Sequence, residues 1–211
     1  MSADFQASLF EALPSTATGP LGDLSAVRRT LLGQGAWLDV LPGWVAGADD
    51  LFARLVEAIP WRAERREMYD RVVDVPRLVH TCGVTDELPD PVLVQAREAL
   101  SRHYLPELGE PFVTAGCCFY RDGNDSVAWH GDNLGRGRRA DTMVAILSLG
   151  EERQLSLRPR GGARRHAFGL GHGDLVVMGG SCQRTWEHAV LKTARPVGPR
   201  ISVQFRPRNV W

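Results

Sequence analysis

His130-Gly131-Asp132, with His188 far downstream, supplies two imidazoles and one carboxylate to a common site. On a β-strand residues i and i+2 point to the same face, so His130 and Asp132 can bind one metal together. Two histidines and a carboxylate are the donor set of a non-haem iron(II) centre that keeps open positions for a co-substrate and dioxygen. Beyond His188, the run Arg200-Ile201-Ser202-Val203-Gln204-Phe205-Arg206 alternates strictly. Ile201, Val203 and Phe205 form an apolar face that belongs in a core. Arg200, Ser202, Gln204 and Arg206 form a polar face, which is either the solvent side of an edge strand or the wall of a cavity. The ligand set upstream favours the cavity. There the guanidiniums suit a small dicarboxylate, which they can pair with bidentately. Tyr120 ends an extended run from Phe112 and can add a phenol hydrogen bond to the same anion.

A second His-x-Asp, His172-Gly173-Asp174, competes with the first. It sits in Gly169-Leu170-Gly171-His172-Gly173-Asp174, just before the apolar run Leu175-Val176-Val177-Met178. That context predicts a turn in which Asp174 bonds local backbone. His80, His103 and His166 have no partner at chelating spacing.

The elements that must position these residues divide at about residue 111. Before it, helical periodicity predicts a helix over 49–59 with Asp49 as cap, stopped by Pro60. A second helix over 90–104 has Asp90 as cap and Pro91 at its first position. Residues 1–35 read as a loosely structured arm, and the Arg-rich segment Trp61 to Gly83 as a lid over one mouth of the core. From residue 111 onward, eight short extended stretches alternate with glycine-rich turns: 112–120, 126–130, 142–149, 153–158, 164–168, 173–179, 185–190 and 199–206. The expected fold is therefore mainly β with N-terminal helices (α+β), its core a sandwich, jelly roll or barrel. The 211 residues fit one domain, with 1–110 carrying the arm, helices and lid and 111–211 the catalytic core.

Composition excludes several classes. There is no apolar run of about 18 residues and so no membrane partner is expected. Met1-Ser2-Ala3-Asp4-Phe5 lacks the basic and apolar regions of a secretory signal. Four cysteines, two of them the adjacent Cys117 and Cys118, have no zinc-type spacing and suit a reducing compartment. The expected location is cytoplasmic, and nothing demands more than a monomer. The net charge of zero does not announce a polyanionic partner, but its distribution is uneven. Residues 133–168 hold eight arginines against Asp141, Glu151 and Glu152. Such a patch can hold phosphates. A composition that uses arginine for all but one basic residue accounts for it nearly as well.

Together these residues resemble the AlkB family of iron(II)- and 2-oxoglutarate-dependent dioxygenases, which reverse alkylation damage on nucleobases. The matching motifs run from Tyr120-Arg121-Asp122-Gly123 through His130-Gly131-Asp132, Ser148-Leu149-Gly150, Gly171-His172-Gly173-Asp174-Leu175 and Thr185-Trp186-Glu187-His188 to the two arginines of 200–206. The resemblance implies a double-stranded β-helix, a jelly-roll or cupin-like core. It implies that His130, Asp132 and His188 hold Fe(II), and that Arg200 pairs with the distal carboxylate of 2-oxoglutarate, aided by Tyr120 and Ser202. Arg206 would sit near the keto-acid end. With O2 the expected reaction is oxidative demethylation of N-alkylated bases such as 1-methyladenine and 3-methylcytosine, releasing formaldehyde and succinate. Single-stranded or damaged DNA, or RNA, is the implied partner. Pro76-Arg77-Leu78 resembles the family's nucleotide-recognition lid, so Arg77, with Tyr69 and Trp129, is a candidate substrate contact. Cys118 and Ser202 stand where the family commonly has Asn, and Leu134 where several members have an acidic base-reading residue. An oxygenase acting on tRNA, protein or a small molecule is the alternative within the class. A nucleic-acid-binding protein with a decayed site is the alternative outside it.

Overall fold

A computed structural model of the chain describes residues 19–68, 71–163 and 165–210, with the side chains of 65–74 outside that description. In order, the elements are β1 (Arg28–Gly33), β2 (Ala36–Leu41), α1 (Ala48–Ala58), β3 (Arg62–Met68), β4 (Arg71–Cys82), α2 (Pro91–Leu108), β5 (Thr114–Tyr120) and β6 (Val127–His130). They continue with β7 (Val144–Gly150), β8 (Arg153–Pro159), β9 (His166–Leu170), β10 (Asp174–Gly180), a single helical turn α3 (Cys182–Thr185), β11 (Trp186–Val190) and β12 (Arg200–Arg206). All eight extended stretches expected after residue 111 are strands.

The strands form two antiparallel sheets. An eight-stranded sheet runs β1-β2-β10-β7-β12-β5-β4-β3, and a four-stranded sheet runs β6-β11-β8-β9. Together they make the expected jelly-roll core. One apolar layer joins α1 and α2 to the outer face of the larger sheet: Leu51, Leu55, Leu93 and Leu100 pack with Leu147, Ile201, Val203 and Phe205. A second layer lies between the sheets, built from Val144, Ile146, Leu155, Leu157, Val176 and Met178. Each such fully buried aliphatic side chain contributes about 2 kcal/mol. β7 and β10 place alternate residues in both layers, and β12 turns one face to the helix layer and the other, polar face inward, which fixes their register, because a one-residue slip would exchange the two faces.

The N-terminal half departs from its expected form. Residues read as the end of a loose arm form β1, and β1, β2 and β4 all hydrogen-bond within the larger sheet. The lid segment is the β3–β4 hairpin, whose base is anchored on β5 through pairs from Leu78↔Phe119 to Cys82↔Ala115. Residues 1–18 lie outside the described residues. Helix α1 is not capped by Asp49. Gly47 precedes the helix with φ 65°, and Asp49 and Asp50 lie in the first turn, where the helix dipole favours them. Helix α2 begins as expected, the Asp90 side chain accepting from the Val92 amide at 2.8 Å with Pro91 following. No helix among the described residues is long and apolar enough to cross a membrane. All four cysteines are free.

The N-terminal strands are tied to α2 by one buried charge. Asp39 on β2 is 1% exposed. Its two carboxylate oxygens accept from Arg29 Nε and Nη2 at 2.7 and 2.8 Å, and Oδ2 also accepts from the Tyr104 hydroxyl at 3.0 Å. Arg29 lies over the Trp37 ring at 3.6 Å and reaches Glu107 as well. Burial, and then Asp39, push the Tyr104 phenol far above its ordinary range, so it remains a donor. Removing that donor with Tyr104→Phe is expected to cost about 1.5–3 kcal/mol, the range for a hydrogen bond to a charged group. Urea denaturation should show a lower midpoint at an unchanged slope. An unchanged midpoint would mean that Arg29 alone satisfies Asp39.

Candidate metal centre

Antiparallel pairing of β6 with β11 sets His188 directly opposite His130. Opposed residues share a face, and the two imidazole centroids are 4.2 Å apart. Asp132 follows immediately after β6, and its Oδ1 lies 3.7 Å from His130 Nε2. One ligand atom from each of the three residues falls within 4.8 Å of the others. Among the described residues this is the one such cluster of His, Cys, Asp and Glu. His130 Nδ1 donates to the Ala128 carbonyl at 2.8 Å, which leaves Nε2 with a free lone pair on the side of Asp132 and His188.

The ligands are held in the charge state a metal needs. Burial, then the neighbouring His130, holds His188 down to about 3, so it is a neutral donor. Burial works against the charge on Asp132, but Arg206, His188 and His130 outweigh it and hold the carboxyl at about 2. Arg206 Nε donates to Asp132 Oδ2 at 2.8 Å. From the other side Gln183 Oε1 accepts from the Asp132 amide at 2.9 Å. Gly131 is required between the ligands, because a Cβ there would come within 2.6 Å of the Gln183 carbonyl.

A cavity of about 60 Å³ opens beside the three ligands, between the two sheets. β12 lies between β7 and β5, so its polar face is not a solvent edge but the wall of this cavity. Register places Arg200 opposite Tyr120, Ser202 opposite Cys118 and Gln204 opposite Gly116. Gln204 Nε2 donates to the Ser202 hydroxyl at 2.6 Å. Arg200 is 1% exposed; its Nε donates to the Ser148 hydroxyl at 3.0 Å, and its guanidinium lies 5.3 Å from the Tyr120 ring centroid. Its Nη1 is buried without a hydrogen-bond partner. A native fold rarely leaves a buried guanidinium nitrogen unpaired, and an anion seated in the cavity would satisfy it. Burial and then Cys118 push the Tyr120 phenol up to about 12, so it too remains a donor. The donor set thus fits an iron(II) ion, and the orphaned guanidinium fits a carboxylate beside it.

Other sequence-based candidates fall elsewhere. The His172 Nδ1 accepts from the Gly150 amide at 2.7 Å, and Asp174 accepts from the Gly43 and Gly171 amides, so this pair is the turn its glycines predict. Trp129 lies next to His130 on β6 and therefore faces away from the ligand cluster; Arg158 lies over its ring at 4.3 Å. Trp61, the aromatic at the start of the lid segment, packs on Phe119 at 5.3 Å and donates to the Val56 carbonyl. Tyr69 lies outside the described residues. Arg77 does reach the cavity, where its Nε donates to Cys118 Sγ at 3.3 Å. Nothing in its spacing marks Gln183, and Ser148, although within the Ser148-Leu149-Gly150 motif, has no role that the sequence reveals.

Gln183→Leu would orphan the Asp132 amide and loosen the carboxylate. Its affinity for manganese(II), a redox-stable stand-in for iron(II), is expected to fall about tenfold or more by calorimetry. Equal affinity in the variant would show that Arg206 suffices to orient Asp132.

Comparison with known proteins agrees with this geometry. Residues 38–206 match the family model described as the 2OG-Fe(II) oxygenase superfamily. Alpha-ketoglutarate-dependent dioxygenase alkB homolog 3 of Bos taurus is 30% identical, the alignment covering 78% of this chain and 64% of the relative. The chain thus spans somewhat less than two thirds of that relative's length. DNA oxidative demethylase ALKBH2 of Arabidopsis thaliana is 27% identical over 92% of this chain and 69% of its own length. Among solved structures, OsALKBH1 superposes with a TM-score of 0.60 at 14% identity, covering 86% of this chain and 100% of the other. A 2OG-Fe(II) oxygenase family oxidoreductase from Burkholderia pseudomallei gives 0.58 at 14%, covering 82% and 86%, and both likenesses bear on the fold alone. The match over 38–206 and the run of AlkB homologues place this chain in the 2OG-Fe(II) oxygenase superfamily, within its AlkB family.

Proposed function

We propose that the protein is an iron(II)- and 2-oxoglutarate-dependent dioxygenase that removes N-linked methyl groups from nucleobases of the 1-methyladenine and 3-methylcytosine type. The polymer is single-stranded or damaged DNA, or RNA. The observation that carries the oxygenase reading is the buried, unpaired Nη1 of Arg200, opening on the same cavity as His130, Asp132 and His188. The nucleobase reading rests on the relatives, one of which is named a DNA oxidative demethylase.

Bound together, iron(II), 2-oxoglutarate and O2 supply the oxidation of an unactivated N-methyl group, with succinate and carbon dioxide as co-products. The chain's own residues do the rest. Arg200 and Tyr120 hold the distal carboxylate in a site where a desolvated ion pair is stronger than in water. Ser148 fixes the Arg200 side chain by its 3.0 Å bond, so the guanidinium is oriented before the anion arrives. Arg206 keeps Asp132 ionised and aimed at the metal position. Val144, Ile146 and Leu155 line the cavity and keep water from the reacting groups. A methylated base must leave its stack to reach this site, which favours single strands and damaged pairs.

The direct test is formaldehyde release from a single-stranded oligonucleotide carrying 1-methyladenine or 3-methylcytosine, with iron(II), 2-oxoglutarate and ascorbate. Wild type is expected to release it and His130→Ala is not. Succinate formed without formaldehyde would keep the oxygenase and discard the nucleobase. Leu134 is the observation behind that second reading, being apolar, 66% exposed and two residues past Asp132. Absence of both products, with iron bound, would mean that the site has decayed.

Arg200→Met tests the clamp. The KM for 2-oxoglutarate is expected to rise about tenfold or more, with kcat at saturating co-substrate falling much less. An unchanged KM would place the distal carboxylate elsewhere.

A further inference from the structure

The co-substrate pocket has a second guanidinium, and it comes from the lid. β4 pairs with β5 from Leu78↔Phe119 to Cys82↔Ala115, so continuing that register by one step brings Arg77 beside Tyr120. Tyr120 is in turn opposite Arg200 on β12. Arg77, Tyr120 and Arg200 therefore form one transverse row across three neighbouring strands, all on the cavity face. The side chains agree with this placement, since Arg77, Tyr120 and Arg200 all line the cavity beside the metal ligands.

The present partners of Arg77 are weak for a half-buried guanidinium. Its Nε donates to Cys118 Sγ at 3.3 Å and its Nη1 to the Ser126 carbonyl at 3.1 Å. A thiol accepts weakly, and a carbonyl does not neutralise the charge. Glu64, on the adjacent strand β3, is the nearby carboxylate that also stabilises Arg77. Arg206, the other lining arginine besides Arg200, is committed to Asp132, and Arg153, 5.8 Å from the Tyr120 ring, to the carbonyls of Asp122, Asp125 and Leu191. The backbone pins Arg77 to this spot, because the Ser126 amide donates to the Pro76 carbonyl at 2.7 Å.

We infer that Arg77 is a co-substrate-binding residue: it and Arg200 flank Tyr120 and hold the carboxylate of 2-oxoglutarate from two sides, with Cys118 as the weak acceptor that Arg77 gives up when the anion enters. The inference rests on the oxygenase reading above and moves Arg77 from nucleobase contact to co-substrate clamp. It also gives Cys118 a role, since a weakly accepting side chain there leaves the guanidinium available. The lid hairpin and the co-substrate pocket then share one residue.

The test is calorimetric titration of 2-oxoglutarate into manganese-loaded wild type, Arg77→Gln and Arg77→Lys. A parallel titration uses a single-stranded oligonucleotide, and melting curves report folding. Arg77→Gln is expected to weaken 2-oxoglutarate about tenfold to a hundredfold, the range of one charge-assisted hydrogen bond, and to leave oligonucleotide affinity within about twofold. Arg77→Lys keeps the charge and loses the fork, so an intermediate loss is expected, and it decides the matter if the glutamine variant fails to fold. In turnover, Arg77→Gln should raise the KM for 2-oxoglutarate while sparing kcat at saturation, a split that a purely structural role would not give. Wild-type 2-oxoglutarate affinity in both variants overturns the assignment, and a loss confined to the oligonucleotide returns Arg77 to nucleic-acid contact. Wild-type protein that binds manganese but no 2-oxoglutarate takes down the oxygenase reading, and this assignment with it.

Discussion

The ionised carboxylate of Asp132 is 4% exposed between two β-sheets, and the 2.8 Å bond from Arg206 is the interaction on which the site depends. An unpaired carboxylate at that depth would take up a proton rather than remain charged, and a protonated carboxyl is a poor metal ligand. Arg206 is the last residue of β12 in the larger sheet, while Asp132 follows β6 of the smaller one. The ion pair therefore does two things. It sets the charge state of a ligand, and it fixes the mouth of the jelly roll at the point where the two sheets must stay in register for His130, Asp132 and His188 to converge. Gly116, across from Gln204, leaves room for this: a Cβ there would lie 2.9 Å from Arg206 Nη1.

The same strand carries the rest of the chemistry, because a strand at the centre of a sheet has two buried faces. On one face Ile201, Val203 and Phe205 bond the sheet to the helices by apolar contact. On the other, burying Arg200, Ser202 and Gln204 forces each polar group to find a partner. Ser202 and Gln204 satisfy each other. Arg200 is satisfied only in part, by Ser148 and Tyr120, and the remaining Nη1 is a standing demand for an anion. Burial also works against the charge on Arg200, so an arriving carboxylate relieves a cost that the folded protein already bears. Binding energy is in this sense built in before the ligand arrives.

How much of this was legible in the sequence follows from which residues obey one rule at a time. β7 and β10 read as apolar runs because each has one face on each apolar layer, β12 as an alternation because its second face is the polar cavity wall, and the Asp90-Pro91 start of α2 is a local signal that no tertiary contact overrides. The N-terminal strands were hidden because their charges break the pattern. Asp39 occupies a buried position of β2, made tolerable only by Arg29 and Tyr104 from elsewhere in the chain. β1 is almost wholly exposed, and the β3–β4 hairpin is rich in arginine and contains Pro76, so neither shows the alternation of a half-buried strand. In the candidate site, residue type and spacing pointed to His130, Asp132, His188 and the arginine row, which the fold brings to one cavity. Gln183 escaped because its contact with the Asp132 amide depends on the single turn α3, and no spacing encodes it.

The basic segment 133–168 shows why charge counts mislead in such a fold. Arg153 is 4% exposed and spends its donors on three backbone carbonyls, fastening the loops that lead to and from the metal strands. Arg158 and Arg160 converge on Glu187, and Arg136 pairs with Glu110. Among the described residues of the segment, Arg138, Arg139 and Arg165 are exposed and stand outside these ion pairs. Arg153 and Arg200 are buried and Arg206 is turned onto Asp132, so these three arginines serve the fold and the cavity rather than the surface.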